Sequence, residues 1–271
     1  MTRIRISAAL LAAATLAACS KDGVQQISGP TAGSFVKFYN FAVNAPNVNF
    51  YAGDVKVTAI SSTSCTPATV PPNPACSSTG LESTTGTGYG AVGNGGLYST
   101  IVPAQYAFAA KVSTTTDNGL AISKLSSTLE NGKYYSVYTS GFYDATAKTT
   151  DAFIVEDALP PTIDFTTSTA RFVNAISNSS PITLFAKNTV TGDSVALGTA
   201  VAYKSASPFK ALPGAIYDLT ARYTGSNTAI FNRTGVSFVV GRVYTVSARG
   251  DMTVVSTTAT NRPFLDNTAN R

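Results

Sequence analysis

Three blocks of sequence occur twice along this chain, in the same order, and this duplication constrains the fold more than any other feature. The paired blocks are 36–52 with 170–186, 102–112 with 212–223, and 132–141 with 241–250. The first pair reads VKFYNFAVNAPNVNFYA and ARFVNAISNSSPITLFA, which align without a gap and place Lys37 opposite Arg171. Because blocks repeated in one order indicate a duplicated structural unit, we predict two tandem domains.

The proline-rich step at Pro160 and Pro161 separates the two copies. The predicted segments are a first domain at 34–158, a linker at 159–168, a second domain at 169–258 and a C-terminal tail at 259–271. Between its first and second blocks, the first copy is 24 residues longer than the second. We therefore predict an insertion near 61–96, and insertions of this length are usually functional or without regular structure.

The repeated blocks have the alternating pattern of half-buried strands. In the third block Tyr135 and Val137 correspond to Tyr244 and Val246, and we expect all four side chains to face a core. Short strands separated by Gly, Asn and Pro, with high aromatic and β-branched content, are typical of small antiparallel sandwiches. The predicted fold class is all-β, with about seven strands in each domain.

The second copy also resembles a known family. Residues 170–175 (ARFVNA) and 241–246 (GRVYTV) are similar to motifs of the bacterial family designated domain of unknown function 4397. The resemblance implies an Ig-like β-sandwich for each copy, in a secreted or lipid-anchored protein. The first copy departs from the motif at Tyr39 and Phe41, which replace smaller residues. No catalytic or binding residues are established for the family, so the resemblance assigns none.

The N-terminus has the pattern of a bacterial secretion signal. Arg3 and Arg5 precede an apolar run at 6–18, which is too short to span a membrane. Leu-Ala-Ala-Cys at 16–19 resembles a lipobox, which implies a signal peptide at 1–18, a lipidated Cys19 and a flexible tether at 19–33. Ser20 in place of Asp favours the outer membrane, facing either the periplasm or the cell surface. The membrane, reached through the lipid at Cys19, is therefore the first predicted partner.

Cys65 and Cys76 lie within the predicted insertion, in the stretch CTPATVPPNPAC. Because Cys19 is assigned to lipid and the compartment is oxidising, we predict a disulfide between these two cysteines. A zinc site is the weaker alternative, because no further strong ligand lies nearby. A reactive redox pair would normally have closer spacing, as in C-x-x-C.

The composition argues against most catalytic classes. The chain has no histidine, which excludes Ser-His-Asp and Cys-His catalysis and any histidine metal site. The run GTGYGAVGNGG formally contains a dinucleotide fingerprint, but Asn94-Gly95-Gly96 follows it and cannot open the required helix. The adjacent Glu156 and Asp157 would point to opposite faces of a strand. A net charge of +5, evenly spread, does not indicate nucleic acid. We predict no enzyme activity, no cofactor and no metal.

Aromatic side chains provide the sharpest binding hypothesis. If Tyr135 faces a core, Tyr134 and Tyr138 face outward from the same strand, with Phe142 and Tyr143 just beyond. Exposed tyrosines could stack on sugar rings or anchor a protein. The alternative is that these side chains pack under the insertion or against the other domain. The sequence thus predicts a non-catalytic, lipid-anchored protein of the cell envelope that serves in binding, adhesion or spacing. Its predicted partners are cell-envelope proteins or glycans. The second candidate function is that of a carbohydrate-binding accessory lipoprotein that uses these tyrosines.

Overall fold

The structure is a computed structural model that describes residues 33–58, 76–77, 80–81 and 86–271, with side chains for 33–58 and 86–271. In the first domain the strands are β1 (Ser34–Asn40), β2 (Val48–Ala52), β3 (Val55–Lys56), β4 (Cys76–Ser77), β5 (Gly80–Leu81), β6 (Ala91–Val92), β7 (Ser99–Ile101), β8 (Gln105–Val112), β9 (Ala121–Thr128), β10 (Tyr134–Asp144) and β11 (Thr149–Glu156). In the second they are β12 (Thr167–Asn174), β13 (Ile182–Asn188), β14 (Ser194–Val201), β15 (Ser205–Ala206), β16 (Lys210–Pro213), β17 (Ala215–Tyr223), β18 (Ala229–Phe238), β19 (Val243–Arg249) and β20 (Phe264–Ala269).

The described part of the chain is all-β, as predicted, and its only helical segment is a 3-10 turn at Gly93–Gly96. Each domain is a sandwich of two sheets. In the first domain the sheet orders are β11-β10-β1-β6, with β7 also on β1, and β3-β2-β8-β9. In the second domain they are β15-β12-β19-β20, with β16 also on β12, and β14-β13-β17-β18. The two sandwiches are compatible with the Ig-like arrangement that the resemblance implies.

The two domains match strand for strand, apart from the extra hairpin β4–β5 in the first. Each contains one parallel pair among otherwise antiparallel neighbours, β1 with β10 and β12 with β19. The register is the same in both: Val36 pairs with Tyr135, and its counterpart Ala170 pairs with Tyr244. The duplication seen in the sequence is therefore a duplication of strand order and register.

Each sandwich encloses its own apolar core. Val36, Phe38, Tyr135 and Val137 pack in the first core, and Ala170, Phe172, Tyr244 and Val246 pack in the second. These include the four third-block side chains predicted to face a core. The repeated Asn40 and Asn174 are fully buried and donate hydrogen bonds to the backbone carbonyls of Thr87 and Val201, which explains an amide at this position of both copies.

Two predicted boundaries need correction. The C-terminal segment 259–271 is not a tail, because β20 lies within it and pairs with β19 along six residues. The linker is also shorter than predicted, since β12 begins at Thr167. The first error arises because β20, whose sequence FLDNTA lacks a clear alternation, is stabilised by pairing with its neighbour rather than by its own apolar pattern.

The two domains pack against each other through one sheet of each. We call these the facing sheets; they contain β1, β10 and β11 in the first domain and β12, β19 and β20 in the second. A separate cluster of buried side chains fills the contact: Tyr39, Phe41, Tyr138 and Phe153 from the first domain, and Val173 and Ala175 from the second. The central strands β1, β10, β12 and β19 are thus covered on both faces, one by their own core and one by the other domain.

Candidate functional site

The predicted tyrosine surface lies on β10, and the direction of its side chains is as expected. Tyr135 and Val137 point into the first core. Tyr138 points out of the sandwich, on the opposite face of the strand. What covers that opposite face is the second domain.

Tyr138 is fully buried, with 0% of its surface exposed. Its ring stacks between Tyr39, at 4.3 Å between centroids, and Phe153, at 4.8 Å. Its hydroxyl shares a 3.2 Å hydrogen bond with Ser247 Oγ of the second domain. Tyr138 is therefore an interdomain contact residue, and the expectation that it is exposed is wrong. The alternative, packing against the other domain, describes its position.

The other three residues of the predicted surface do not form one patch. Tyr134 is half-buried, stacked on Phe35 at 4.4 Å. Tyr143 is half-buried against the first core, and Phe142 is 43% exposed. Tyr134 and Phe142 lie eight residues apart on one strand, which corresponds to about 26 Å. A ligand of monosaccharide size could not contact both.

A buried ion pair lies at the same interface. Arg171 of β12 and Asp157, just after β11, are 2% and 1% exposed and form a salt bridge between the domains. Arg171 Nη1 also donates to the Glu156 carbonyl at 2.9 Å, and its Nε donates to Thr245 Oγ1 at 3.1 Å. The second carboxylate oxygen of Asp157 accepts hydrogen bonds from Ser136 at 2.7 Å and Tyr98 at 2.6 Å. Both buried charges are thus paired and hydrogen-bonded, as burial requires.

Lys37 makes the corresponding contacts from the first domain. It is 1% exposed, and its Nζ donates to the Ala269 carbonyl at 2.8 Å and to Asn270 Oδ1 at 3.2 Å. The ammonium also lies 4.4 Å from the centre of the Tyr98 ring, within cation–π range. Asn270 Nδ2 in turn donates to Thr245 Oγ1 at 2.6 Å.

These two sets of contacts are related by the duplication. The shared register makes Lys37 equivalent to Arg171, and Asp157 equivalent to Asn270. Asp157 and Asn270 each follow the last strand of their domain, and each binds the cation of the other domain, Arg171 or Lys37. Their backbone N–H groups donate at 2.7 Å to the carbonyls of Tyr134 and Val243, the first residues of β10 and β19. Tyr138 and Ser247 are also equivalent, so their hydrogen bond joins like positions. The interface is therefore close to twofold symmetric, as in an isologous dimer.

Burial changes the proton affinities of this cluster. It lowers the pKa of Lys37 to about 8, with Asp157 acting in the opposite direction and Arg171 adding to the decrease. Burial, followed by the negative charge of Asp157, raises the pKa of Tyr98. Burial likewise raises the pKa of Tyr138 to about 12. A lysine of lowered pKa can serve as a base or nucleophile, but Lys37 is enclosed between two domains, and the arrangement fits a structural role.

The glycine-rich run also belongs to this interface. Gly90 has φ +78°, and a Cβ there would lie 2.8 Å from the Arg249 guanidinium carbon of the second domain. The preceding Tyr89 lies against the same guanidinium at 4.9 Å, and its counterpart Tyr203 shares a 2.8 Å hydrogen bond with Ser140. The glycine at position 90 thus permits a close domain contact, which is consistent with rejecting a dinucleotide fingerprint.

The surface of the described residues also includes a groove and a smaller cleft. A groove of about 580 Å³ between β14 and β15 is lined by residues such as Leu197, Ser207 and Phe209. A smaller cleft of about 280 Å³ is lined by Lys133, Glu156 and Arg271, among others. Glu156 is exposed and pairs with Lys133 at 3.3 Å, whereas Asp157, which follows β11, is buried; both residues line this cleft. Among the residues whose side chains are described, no group of three or more Asp, Glu, Cys or His could hold a metal.

Other predicted sites lie elsewhere. Cys19 and Cys65 are outside the described residues; Cys76 begins the hairpin β4–β5, but its side chain is outside the described part, so lipidation and the disulfide stay predictions. Within the part of the chain described, no helix is long and apolar enough to cross a membrane.

Sequence reasoning missed the buried ion-pair cluster, although its signal was present. Lys37 and Arg171 are aligned basic residues in the middle of otherwise apolar, repeated strands. The alternating pattern places both on the strand face that points away from the core, which is ordinarily the solvent face. A basic side chain kept at the same point of two duplicated strands is the pattern that could have indicated an interface.

Comparison with known proteins adds no assignment: no protein-family model matches the chain, and no curated protein matches it.

Proposed function

We propose that this protein is a non-catalytic, lipid-anchored module of the bacterial outer membrane, in which two sandwich domains act as one rigid body for binding, adhesion or spacing. The observation that carries the proposal is the interdomain contact, with its buried aromatic stack and its Arg171–Asp157 pair. Consecutive domains of one chain are usually in contact through small, polar interfaces that allow relative motion. Here the contact buries aromatic rings and paired charges, which supports a fixed geometry.

The chemistry of the described surface supports a non-catalytic role. Lys37 and Tyr98, two of the groups whose pKa is shifted by burial, contact each other and Asp157 at the domain contact rather than in a groove. The larger groove is lined mainly by small and apolar residues, with Lys210 as its one charged side chain. A hydrolytic or group-transfer site would need convergent acid, base or nucleophilic side chains around such a groove.

Attachment to the membrane rests on the N-terminal sequence. The basic residues, the apolar run and Leu-Ala-Ala-Cys support lipidation at Cys19. Several acyl chains on one cysteine provide stable anchoring. The glycan-binding alternative is weakened, because the burial of Tyr138 removes the central ring of its proposed surface.

The test compares Cys19→Ser with the matched control Cys65→Ser in cells producing the full chain. We expect wild type and Cys65→Ser to float with membranes and to incorporate labelled palmitate, whereas Cys19→Ser does neither. Membrane flotation of Cys19→Ser at the wild-type level would contradict the proposal. Protease treatment of whole cells then distinguishes the two faces of the outer membrane, since cleavage indicates the cell surface and protection the periplasm.

A further inference from the structure

An exposed apolar cluster lies at one end of the second domain. We call it the apolar tip; its members are Phe165, Val190, Ile216, Val239 and Val240. Phe165 is 76% and Val190 86% exposed, and the other three are close to half exposed. They come from the linker, from the β13–β14 turn, from the start of β17 and from the β18–β19 turn. Large apolar side chains that converge from several segments onto one exposed site mark an interaction surface.

Close contacts join these segments into one surface. The Phe165 ring packs on Gly241, where a Cβ would lie 2.8 Å from its Cδ1 atom. Val240 packs on Gly214 in the same way, because a Cβ at position 214 would lie 2.5 Å from Val240 Cγ1. Thr189, next to Val190, donates a 3.1 Å hydrogen bond to the Ile216 carbonyl. The glycines allow the apolar side chains to rest on bare backbone at the end of the sandwich.

The apolar tip lies at the end of the molecule where the chain leaves the sandwich toward Cys19. Gly33 precedes β1 and is bonded to the β9–β10 turn, where its carbonyl accepts a 2.8 Å hydrogen bond from Gly132. Lys133, in that turn, lines one cleft with Arg271. The Arg271 carbonyl accepts a hydrogen bond from Val243, at the start of β19. Two hydrogen bonds and the cleft between them thus place Gly33 at the same end of the molecule as the β18–β19 turn, which forms part of the apolar tip.

The strand directions place further apolar residues at this end. Val55 and Val102 of the first domain are both about two-thirds exposed or more. Val102 follows β7, whose Ile101 pairs with Ser34 at the start of β1. The exposed Arg242 and Arg271 lie at the same end, where the phosphates of lipid headgroups would meet them. The neighbouring Asp164 accepts hydrogen bonds from Thr166, which hold its carboxylate beside its own loop.

We propose that the apolar tip inserts into the outer part of the lipid bilayer to which the chain is anchored. The proposal rests on the proposed lipid anchor at Cys19. Thirteen residues separate Cys19 from Gly33, so the chain between them spans at most about 45 Å, which keeps this end of the protein near the bilayer. Exposed aromatic and aliphatic side chains with flanking arginines suit burial at about 5–10 Å into the headgroup and acyl boundary.

Because the chain has no tryptophan, one introduced tryptophan reports on a single site. The test variants are Phe165→Trp and Val190→Trp in the lipidated full chain. The control is Phe142→Trp. Phe142 lies near the C-terminal end of β10, whereas Gly33 lies beside the N-terminal end of the parallel strands β1 and β10. Each protein is reconstituted in phosphatidylethanolamine and phosphatidylglycerol vesicles, with or without lipids brominated on the acyl chain. We expect bromolipid to reduce emission from positions 165 and 190 about twofold or more, and to leave position 142 unchanged, since quenching requires insertion near the acyl chains.

The outcomes separate this inference from the anchor. If the proteins float with vesicles but bromolipid quenches none of the three positions, the apolar tip does not insert and the inference is overturned. Equal quenching at 142 would overturn it as well. Emission at 165 that shifts with protein concentration and not with bromolipid would assign the tip to a second copy instead. Failure of all proteins to float would contradict the lipid anchor itself.

Discussion

Lys37 and Arg171 occupy equivalent positions in the two domains, and each donates a hydrogen bond to the carbonyl of the last residue of the other domain's final strand. The acceptors are Ala269 at 2.8 Å and Glu156 at 2.9 Å. The residue after each acceptor, Asn270 or Asp157, completes the contact. The duplicated domain thus supplies both halves of its own interface, with one charged and one neutral partner.

Removing the charged partner is expected to destabilise the protein strongly. In Asp157→Asn, Arg171 stays buried without a compensating carboxylate, which should lower the free energy of unfolding by about 3–5 kcal/mol. Urea denaturation followed by circular dichroism measures the change. Asp54→Asn is the matched control, because Asp54 is exposed and its substitution should change stability by less than about 0.5 kcal/mol. Equal effects of the two substitutions would contradict a buried ion pair.

Tyr138 should be a stability residue rather than a ligand contact. Tyr138→Ala leaves a cavity between Tyr39 and Phe153 and should cost about 3–5 kcal/mol. Tyr138→Phe loses only the hydrogen bond to Ser247, about 1 kcal/mol. Phe142→Ala, on the same strand but exposed, serves as the control and should change little. A Tyr138→Ala protein as stable as wild type, or one that only loses glycan binding, would restore the exposed-surface hypothesis.

The free energy of unfolding should increase with pH above neutrality, because Lys37 releases its proton more readily in the folded protein than in the unfolded chain. Its pKa is about 8 in the folded protein and 10.5 without the fold, so between these values the unfolded chain holds a proton that the folded chain has released. The free energy of unfolding then increases with pH, by at most about 1.4 kcal/mol per pH unit. Above about pH 10 Tyr39 and Tyr98, whose pKa burial raises, act in the opposite direction.

The measurement is urea denaturation at several values between pH 8 and 10 for wild type and Lys37→Met. The variant has no titrating group at this position, so its stability should rise less over this interval. Parallel pH profiles for the two proteins would show that Lys37 does not change its proton affinity on folding.

Much of the fold was predictable from the sequence, because the alternating blocks and their repetition report directly on strand faces. Tyr135 and Val137 are in the core, as predicted, because an inward strand face is apolar wherever the strand lies. The strand face that points away from the core need not be polar or apolar, because either solvent or another domain can cover it. Tyr138 and Lys37 have the same chemistry on a solvent face as in a satisfied polar interface, so their burial depends on the position of the other domain. The pattern of a single strand does not encode that position, and only the repetition of a basic residue at Lys37 and Arg171 points to it.

The central claim is that the two domains form one rigid unit, and scanning calorimetry of the full chain tests it most directly. We predict a single endotherm whose calorimetric and van't Hoff enthalpies agree, since neither domain can unfold without exposing the Tyr138 stack and the Arg171–Asp157 pair. Two resolved transitions, or a calorimetric enthalpy about twice the van't Hoff value, would show that the domains unfold independently and would contradict the account.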